Sequence, residues 1–123
     1  VVDPDPEARA RLARELGVEP LADHVPLLGE VDAVSIVAPT PLHHRLARDF
    51  LAAGSHVLVE KPITSTLEEA RELVALAAER GRVLQVGHLE RFNPAIVAIE
   101  GLLQRPRFIE SNRLAPFKPR GTD

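Results

Sequence analysis

The sequence contains no cysteine, which excludes disulfides and any thiolate metal site. No apolar run approaches the roughly 18 residues that a membrane-spanning helix requires, so a membrane is not an expected partner. An excess of positive charge is lacking too: the formal net charge is −3, and the arginines are spread among acids on expected helix surfaces. Without a basic face for a phosphate backbone, nucleic acid is not an expected partner either. No HxxxH or carboxylate–histidine cluster has metal-ligand spacing, so no metal site is expected, and no GxGxxG phosphate loop occurs. The chain opens on Val1 rather than methionine, with no charged and apolar leader. It reads as an internal piece of a longer, cytoplasmic protein.

What is present suffices for about one domain: 123 residues, 45% of them hydrophobic. Val1 and Val2 read as a strand end, stopped by Asp3-Pro-Asp-Pro6. Asp5 caps a helix with Pro6 at its first position, Ala8, Leu12 and Leu16 at helical spacing, and Gly17 at its end. A short strand is expected over 18–22 and a helical turn near 25–28. Residues 33–38 form a β-rich apolar run, the pattern of a parallel strand buried on both faces. Thr40 as cap and Pro41 as first residue predict a helix with Leu42, Leu46, Phe50 and Ala53 on one face, closing at Gly54. A strand over 56–59 runs into Glu60-Lys-Pro62. Thr66-Leu-Glu-Glu69 is a capping box, opening a helix with Leu67, Ala70, Leu73, Val74 and Ala77 on its apolar stripe and ending at Arg80-Gly81. A strand over 83–86 follows, then helical spacing over 92–104, then a strand over 107–114 with Phe108, Glu110, Asn112 and Leu114 on one face.

Strands alternating with helices predict an α/β fold: a doubly wound parallel sheet of the Rossmann kind with right-handed crossovers. The expected order is 3-2-1-4-5-6, with the first strand absent and the beginning of an α+β carboxy-terminal domain following. The expected division is 1–104 for the incomplete dinucleotide-binding domain with its linking helix and 105–123 for the start of the second domain. A central strand missing from such a sheet leaves unpaired main-chain groups on both sides, so the 123 residues alone are expected to bind NAD poorly and to be inactive.

Ligands of open α/β sheets bind at the carboxyl ends of the strands. Four clusters sit there: Asp3, residues 39–43, Glu60-Lys-Pro62, and Gly87-His88. Asp3 can accept hydrogen bonds from ribose hydroxyls and repel a 2′-phosphate; the plain alternative is a capping or turn aspartate. Lys61 can orient a substrate hydroxyl as an ammonium or take its proton as an amine. Strand alternation turns Glu60 to the other face, toward cofactor ribose or nearby backbone, although such a pair is commonly a solvated surface feature. Pro62 can be cis, which would fix the direction of Lys61. Arg91 could grip a carboxylate or phosphate and His88 a sugar, with Asn93-Pro94 an ordinary helix start in the alternative reading. Of His43 and His44, one faces the crevice and the other solvent.

Taken in order and spacing, Ala38-Pro-Thr-Pro-Leu-His43, Ala53-Gly-Ser-His-Val-Leu-Val-Glu-Lys-Pro62 and Val86-Gly-His-Leu-Glu-Arg-Phe-Asn-Pro94 resemble the Gfo/Idh/MocA oxidoreductases. The likeness covers essentially the whole chain. Residues 112–123 are similar to members of the UDP-N-acetylglucosamine 3-dehydrogenase type. The resemblance implies hydride transfer from a sugar carbinol carbon to NAD, rather than NADP, in the full-length parent. Asp3, Thr40, Pro41, His43, Glu60, Lys61 and Pro62 would then be cofactor residues, Lys61 the catalytic one, and His88, Arg91 and Asn93 substrate residues. The partner histidine of an Asp-xxx-His motif would lie in the second domain, whose sheet would also join the parent into a homo-oligomer. Two other readings stay open: a member acting on free sugar, inositol or a biliverdin-like compound, and a non-catalytic scaffold.

Overall fold

The computed structural model describes residues 1–102, 105–112 and 114. The first helix, α1 (Pro6–Leu16), starts where Asp5 accepts hydrogen bonds from the Glu7 and Ala8 amides at 2.8 and 3.4 Å. It stops where Gly17 turns into the left-handed region at φ 65°, a conformation a side chain would strain. The short stretches on either side of α1 meet: Val2 and Leu21 form a parallel bridge, through Leu21 N–H to Val1 O at 2.9 Å and Asp3 N–H to Leu21 O at 3.1 Å. A 3-10 turn follows at Val25–Leu27.

The rest is the regular part of the fold. Strands β1 (Ala33–Ile36), β2 (His56–Val59) and β3 (Leu84–Val86) form one parallel sheet in that order. Helices α2 (Thr40–Ala52) and α3 (Leu67–Arg80) make the crossovers between them. The order matches positions 4-5-6 of the expected topology, and the separate Val2–Leu21 bridge matches positions 2-3. The capping box forms as read: Thr66 accepts from the Glu69 amide and the Glu69 carboxylate accepts from the Thr66 amide, at 3.3 and 3.1 Å. Gly81 closes α3 at φ 61°.

The core is Ile36, Ala47, Phe50, Leu51, Val57, Val59, Leu73 and Ala77, where α2 and α3 lie on one face of the sheet. Three expectations need correction here. First, β1 is not buried on both faces: its pattern alternates, and the register row Ser35, Leu58 and Gln85 is exposed. Helices α2 and α3 pack against each other on one side of the sheet, as crossovers of one hand to successive strands require, and no described helix covers the other. Second, the buried stripe of α2 is His43, Ala47, Phe50 and Leu51, rotated from the expected one; Leu42 is 38% exposed. A stripe counted on apolar residues alone omits a histidine whose polar atoms are satisfied inside the protein. Thr40 also does not cap: it is the first helical residue and Pro39 occupies the cap position with no side-chain bond.

Beyond β3 come a 3-10 turn (Leu89–Phe92) and α4 (Pro94–Glu100). Described residues 107–112 and 114 are not paired as a strand, contrary to expectation. A strand exists only where a neighbour exchanges main-chain hydrogen bonds with it, and no described strand runs alongside. Residues 103 and 104 of the expected helix, and most of 112–123, lie outside the described residues.

The one-sided core sets a contrast in stability. Leu73→Ala, at a position with no solvent exposure, is expected to cost about 2–5 kcal/mol. Leu58→Ala, on the uncovered face and 42% exposed, is expected to cost about 1 kcal/mol or less. Urea midpoints at unchanged m-value measure both; equal losses would mean that a second layer covers the sheet.

Candidate functional site

The three strands end in one row. Ile36, Val59 and Val86 are register partners, so the segments leaving β1, β2 and β3 emerge side by side. Main-chain bonds extend the row by one residue, with Glu60 N–H donating to Ile36 O at 3.0 Å and Gly87 N–H to Val59 O at 2.8 Å. Three of the four sequence clusters, residues 39–43, 60–62 and 87–88, are thereby brought to one sheet edge. Asp3 follows the separate bridge at Val2 and Leu21.

At the middle of the edge, Glu60 is half-buried and Lys61 exposed. The Glu60 carboxylate lies against the backbone of buried Gly87: a Cβ on that glycine would stand 2.9 Å from Oε1, 3.0 Å from Cδ and 3.2 Å from Oε2. Oε2 also accepts from the Lys61 amide at 3.3 Å. Among the described residues, no acceptor holds Lys61 Nζ. The Lys61–Pro62 peptide is cis, the isomer that the sequence left open. Gly87 is the site residue whose role sequence reasoning missed, although a glycine just past a strand end is a known signal of close approach.

His43 is 1% exposed, and both of its ring nitrogens meet main-chain oxygens: Nδ1 at 2.8 Å from Pro62 O and Nε2 at 2.7 Å from Ala38 O. His44 is the outward histidine of the pair, with Nε2 3.0 Å from Glu72 Oε2 on α3. Thr40 is half-buried and Pro41 exposed at the start of α2. Asp3 accepts from the Asp5 amide at 2.9 Å through Oδ1, while its carbonyl accepts from Arg9 Nη1 at 2.7 Å. Asp3 thus shapes the turn into α1, whatever else it does.

On the far side of the edge, His88 and Arg91 are exposed. Asn93 is the cap of α4, its Oδ1 accepting from the Ala95 amide at 3.0 Å and its Nδ2 donating to Glu90 Oε2 at 2.9 Å. Among the described residues no group of three or more histidines and carboxylates is placed to hold a metal ion. Chemically, the edge offers an exposed ammonium at Lys61 with no acceptor among the described residues and, one residue away, a carboxylate resting against the Gly87 backbone.

Residues 1–88 match the Gfo/Idh/MocA family, described as an oxidoreductase family with an NAD-binding Rossmann fold. The whole chain is 45% identical to UDP-N-acetylglucosamine 3-dehydrogenase of Acidithiobacillus ferrooxidans and spans 40% of it. The structure of that enzyme superposes with a TM-score of 0.89 over 98% of this chain and 40% of its own. The Bacillus subtilis scyllo-inositol 2-dehydrogenase (NAD(+)) is 38% identical over 77% of this chain and 29% of its own length. The WlbA dehydrogenase of Bordetella pertussis, solved with NADH and UDP-GlcNAcA, superposes at a TM-score of 0.77 with 27% identity, over 81% of this chain and 30% of its own. The chain therefore spans less than half the length of these relatives.

The contact between Gly87 and Glu60 can be tested in the chain itself. Gly87→Ala is expected to displace the Glu60 carboxylate, the movable partner, at a stability cost of about 1 kcal/mol or less. The displacement would shift the Lys61 amide resonance and the Glu60 carboxyl carbon in nuclear magnetic resonance spectra. Unchanged shifts at both would mean that the carboxylate does not rest there.

Proposed function

The chain belongs to the Gfo/Idh/MocA oxidoreductase family, and from that premise we propose that it forms the nicotinamide side of an NAD-dependent dehydrogenase acting on a sugar hydroxyl, the 3-position of a UDP-N-acetylhexosamine. The observation that carries the substrate is the 45% identity with a UDP-N-acetylglucosamine 3-dehydrogenase, which extends over all of this chain. Because the chain spans 40% of that relative, turnover is a property of the whole protein.

The residues present fit one half of the cofactor. At the carboxyl edge of the sheet, the Glu60 carboxylate, resting against the Gly87 backbone, is an acceptor for ribose hydroxyls. The pyrophosphate half needs a glycine-rich turn at a helix start, and the sequence has no GxGxxG. When bound, the nicotinamide accepts the hydride from the carbinol carbon. Lys61 does the rest of the work assigned to this chain: its ammonium holds the reacting oxygen in place, and as an amine it can take the hydroxyl proton. His88 and Arg91 stand on the substrate side, where a guanidinium suits the diphosphate of a nucleotide sugar. Asn93 acts there as the cap that fixes how the chain leaves that side.

Asp3 supports NAD over NADP. One oxygen of its carboxylate is already engaged by the Asp5 amide, which orients the group at a strand end. A carboxylate so held accepts from ribose hydroxyls and repels a 2′-phosphate.

Both assignments are testable in a chimera in which these 123 residues replace the matching stretch of the Acidithiobacillus ferrooxidans enzyme. Lys61→Ala is expected to lower the hydride-transfer rate by roughly 10²–10⁴-fold, the scale of a positioned acid–base group. A single-turnover rate within twofold of the parent would support the scaffold reading instead. Asp3→Ser is expected to reduce the ratio of kcat/KM for NAD over NADP by about tenfold or more, a charge-assisted hydrogen bond being worth about 1.5–3 kcal/mol. An unchanged ratio would confine Asp3 to its role in the turn.

A further inference from the structure

Resting on the reading of Lys61 as the residue that meets the substrate hydroxyl, we propose that His43 is a positioning residue for Lys61, acting through the carbonyl of Pro62. Lys61 is exposed, and among the described residues its head group has no acceptor. A lysine side chain in that state keeps its rotamer freedom. Whatever direction it has comes from its main chain, and that main chain is tied down on both sides.

On the amino-terminal side, Glu60 N–H donates to Ile36 O at 3.0 Å. On the carboxy-terminal side, His43 Nδ1 reaches Pro62 O at 2.8 Å while Nε2 reaches Ala38 O at 2.7 Å. Both ties lead back to the end of β1: the first is continuous with the sheet, and the second crosses a gap that main-chain pairing does not bridge. Among the described residues, the imidazole stands between these two segments with one ring nitrogen at hydrogen-bond distance from each.

The ring suits this task because it cannot move. His43 shares the buried face of α2 with Ala47, Phe50 and Leu51, at helical spacing, and is itself 1% exposed. Carbonyl oxygens only accept, so the ring must donate. Its doubly protonated form donates to both carbonyls and each neutral tautomer to one; every form therefore links α2 to at least one segment. Any buried histidine needs a partner for its ring N–H; here the two oxygens in reach belong to the segments leaving β1 and β2. Direct contact with a cofactor would need an exposed ring edge, and His43 is 1% exposed.

His43→Phe keeps the ring and removes both donors; His43→Gln keeps an amide donor. In the chimera described above, His43→Phe is expected to lower the single-turnover hydride-transfer rate of the folded fraction by roughly 10–100-fold, since an error of about 1 Å at a reacting group costs about 10²-fold. KM for NAD should stay within about twofold, and His43→Gln should recover at least half of the loss on a logarithmic scale. In the 123-residue chain, the Pro62 carbonyl carbon resonance should move in His43→Phe and return toward the parent value in His43→Gln. A rate per folded molecule within twofold of the parent in His43→Phe overturns the proposal. So does an equal loss in both variants that follows only the folded fraction, the result of a purely structural histidine. Lys61→Ala run alongside separates the two failures: if it lowers the rate and His43→Phe does not, the positioning role alone is wrong; if it leaves the rate unchanged, the reading of Lys61 falls and this inference with it.

Discussion

Parallel pairing that places Ile36, Val59 and Val86 in one row is the constraint from which the candidate site follows. Each strand in this sheet has only three or four residues. Their lengths and register agree at the carboxyl ends, so three chain segments leave together and the residues after them become neighbours. A slip of one residue in β2 would turn Val57 and Val59 out of the core and exchange the surroundings of Glu60 and Lys61. The same apolar alternation that buries Val57 and Val59 therefore determines which of the two charged residues lies over Gly87 and which faces outward. Core packing and site geometry are fixed by one register.

Helix α2 connects the two most directly. Its inner face supplies Ala47, Phe50 and Leu51 to the core and, one turn earlier, His43 to the strand ends. The packing that orders the helix is thus spent where the ring must be held. Because α2 starts immediately after β1, the short connection places that first turn beside the segment leaving β2. A buried imidazole is tolerated there because its N–H finds a main-chain oxygen whichever ring nitrogen carries the proton.

Local signals were legible in the sequence wherever a single residue type has a steric or hydrogen-bonding reason to occupy a position. Asp5 and Thr66 at helix starts, and Gly17 and Gly81 at helix ends, stand where their chemistry requires. The strand over 56–59 and the order of the sheet followed from apolar runs alternating with amphipathic ones, while the run over 33–38 overshot β1, which ends at Ile36, and that over 83–86 began one residue before β3. What was not legible depended on partners. The exposure of Ser35, Leu58 and Gln85 reflects which side the crossovers cover, which a strand's own residues do not encode. The inner face of α2 was displaced because His43 does not look apolar, and the contact of Glu60 with Gly87 joins residues 27 positions apart in the chain. Asp3 and Asn93 fulfil the capping and turn roles that the sequence offered beside the functional ones.

The arrangement at Glu60 and Lys61 also accounts for why two adjacent opposite charges do not cancel. In an extended chain, successive side chains point to opposite sides, and the carboxylate of Glu60 goes to Gly87 and to the Lys61 main-chain amide rather than to the Lys61 ammonium. An ion pair between them would be exposed and worth little, yet it would occupy the head group proposed to meet the substrate hydroxyl. Replacing that pair by a carboxylate–amide contact costs little stability and leaves the ammonium uncommitted. The absent side chain at Gly87 is what makes room for it: with a Cβ there, the carboxylate would be pushed from its resting place into the open edge, within reach of the lysine. A glycine that carries no functional group thereby keeps apart the two charged residues that do.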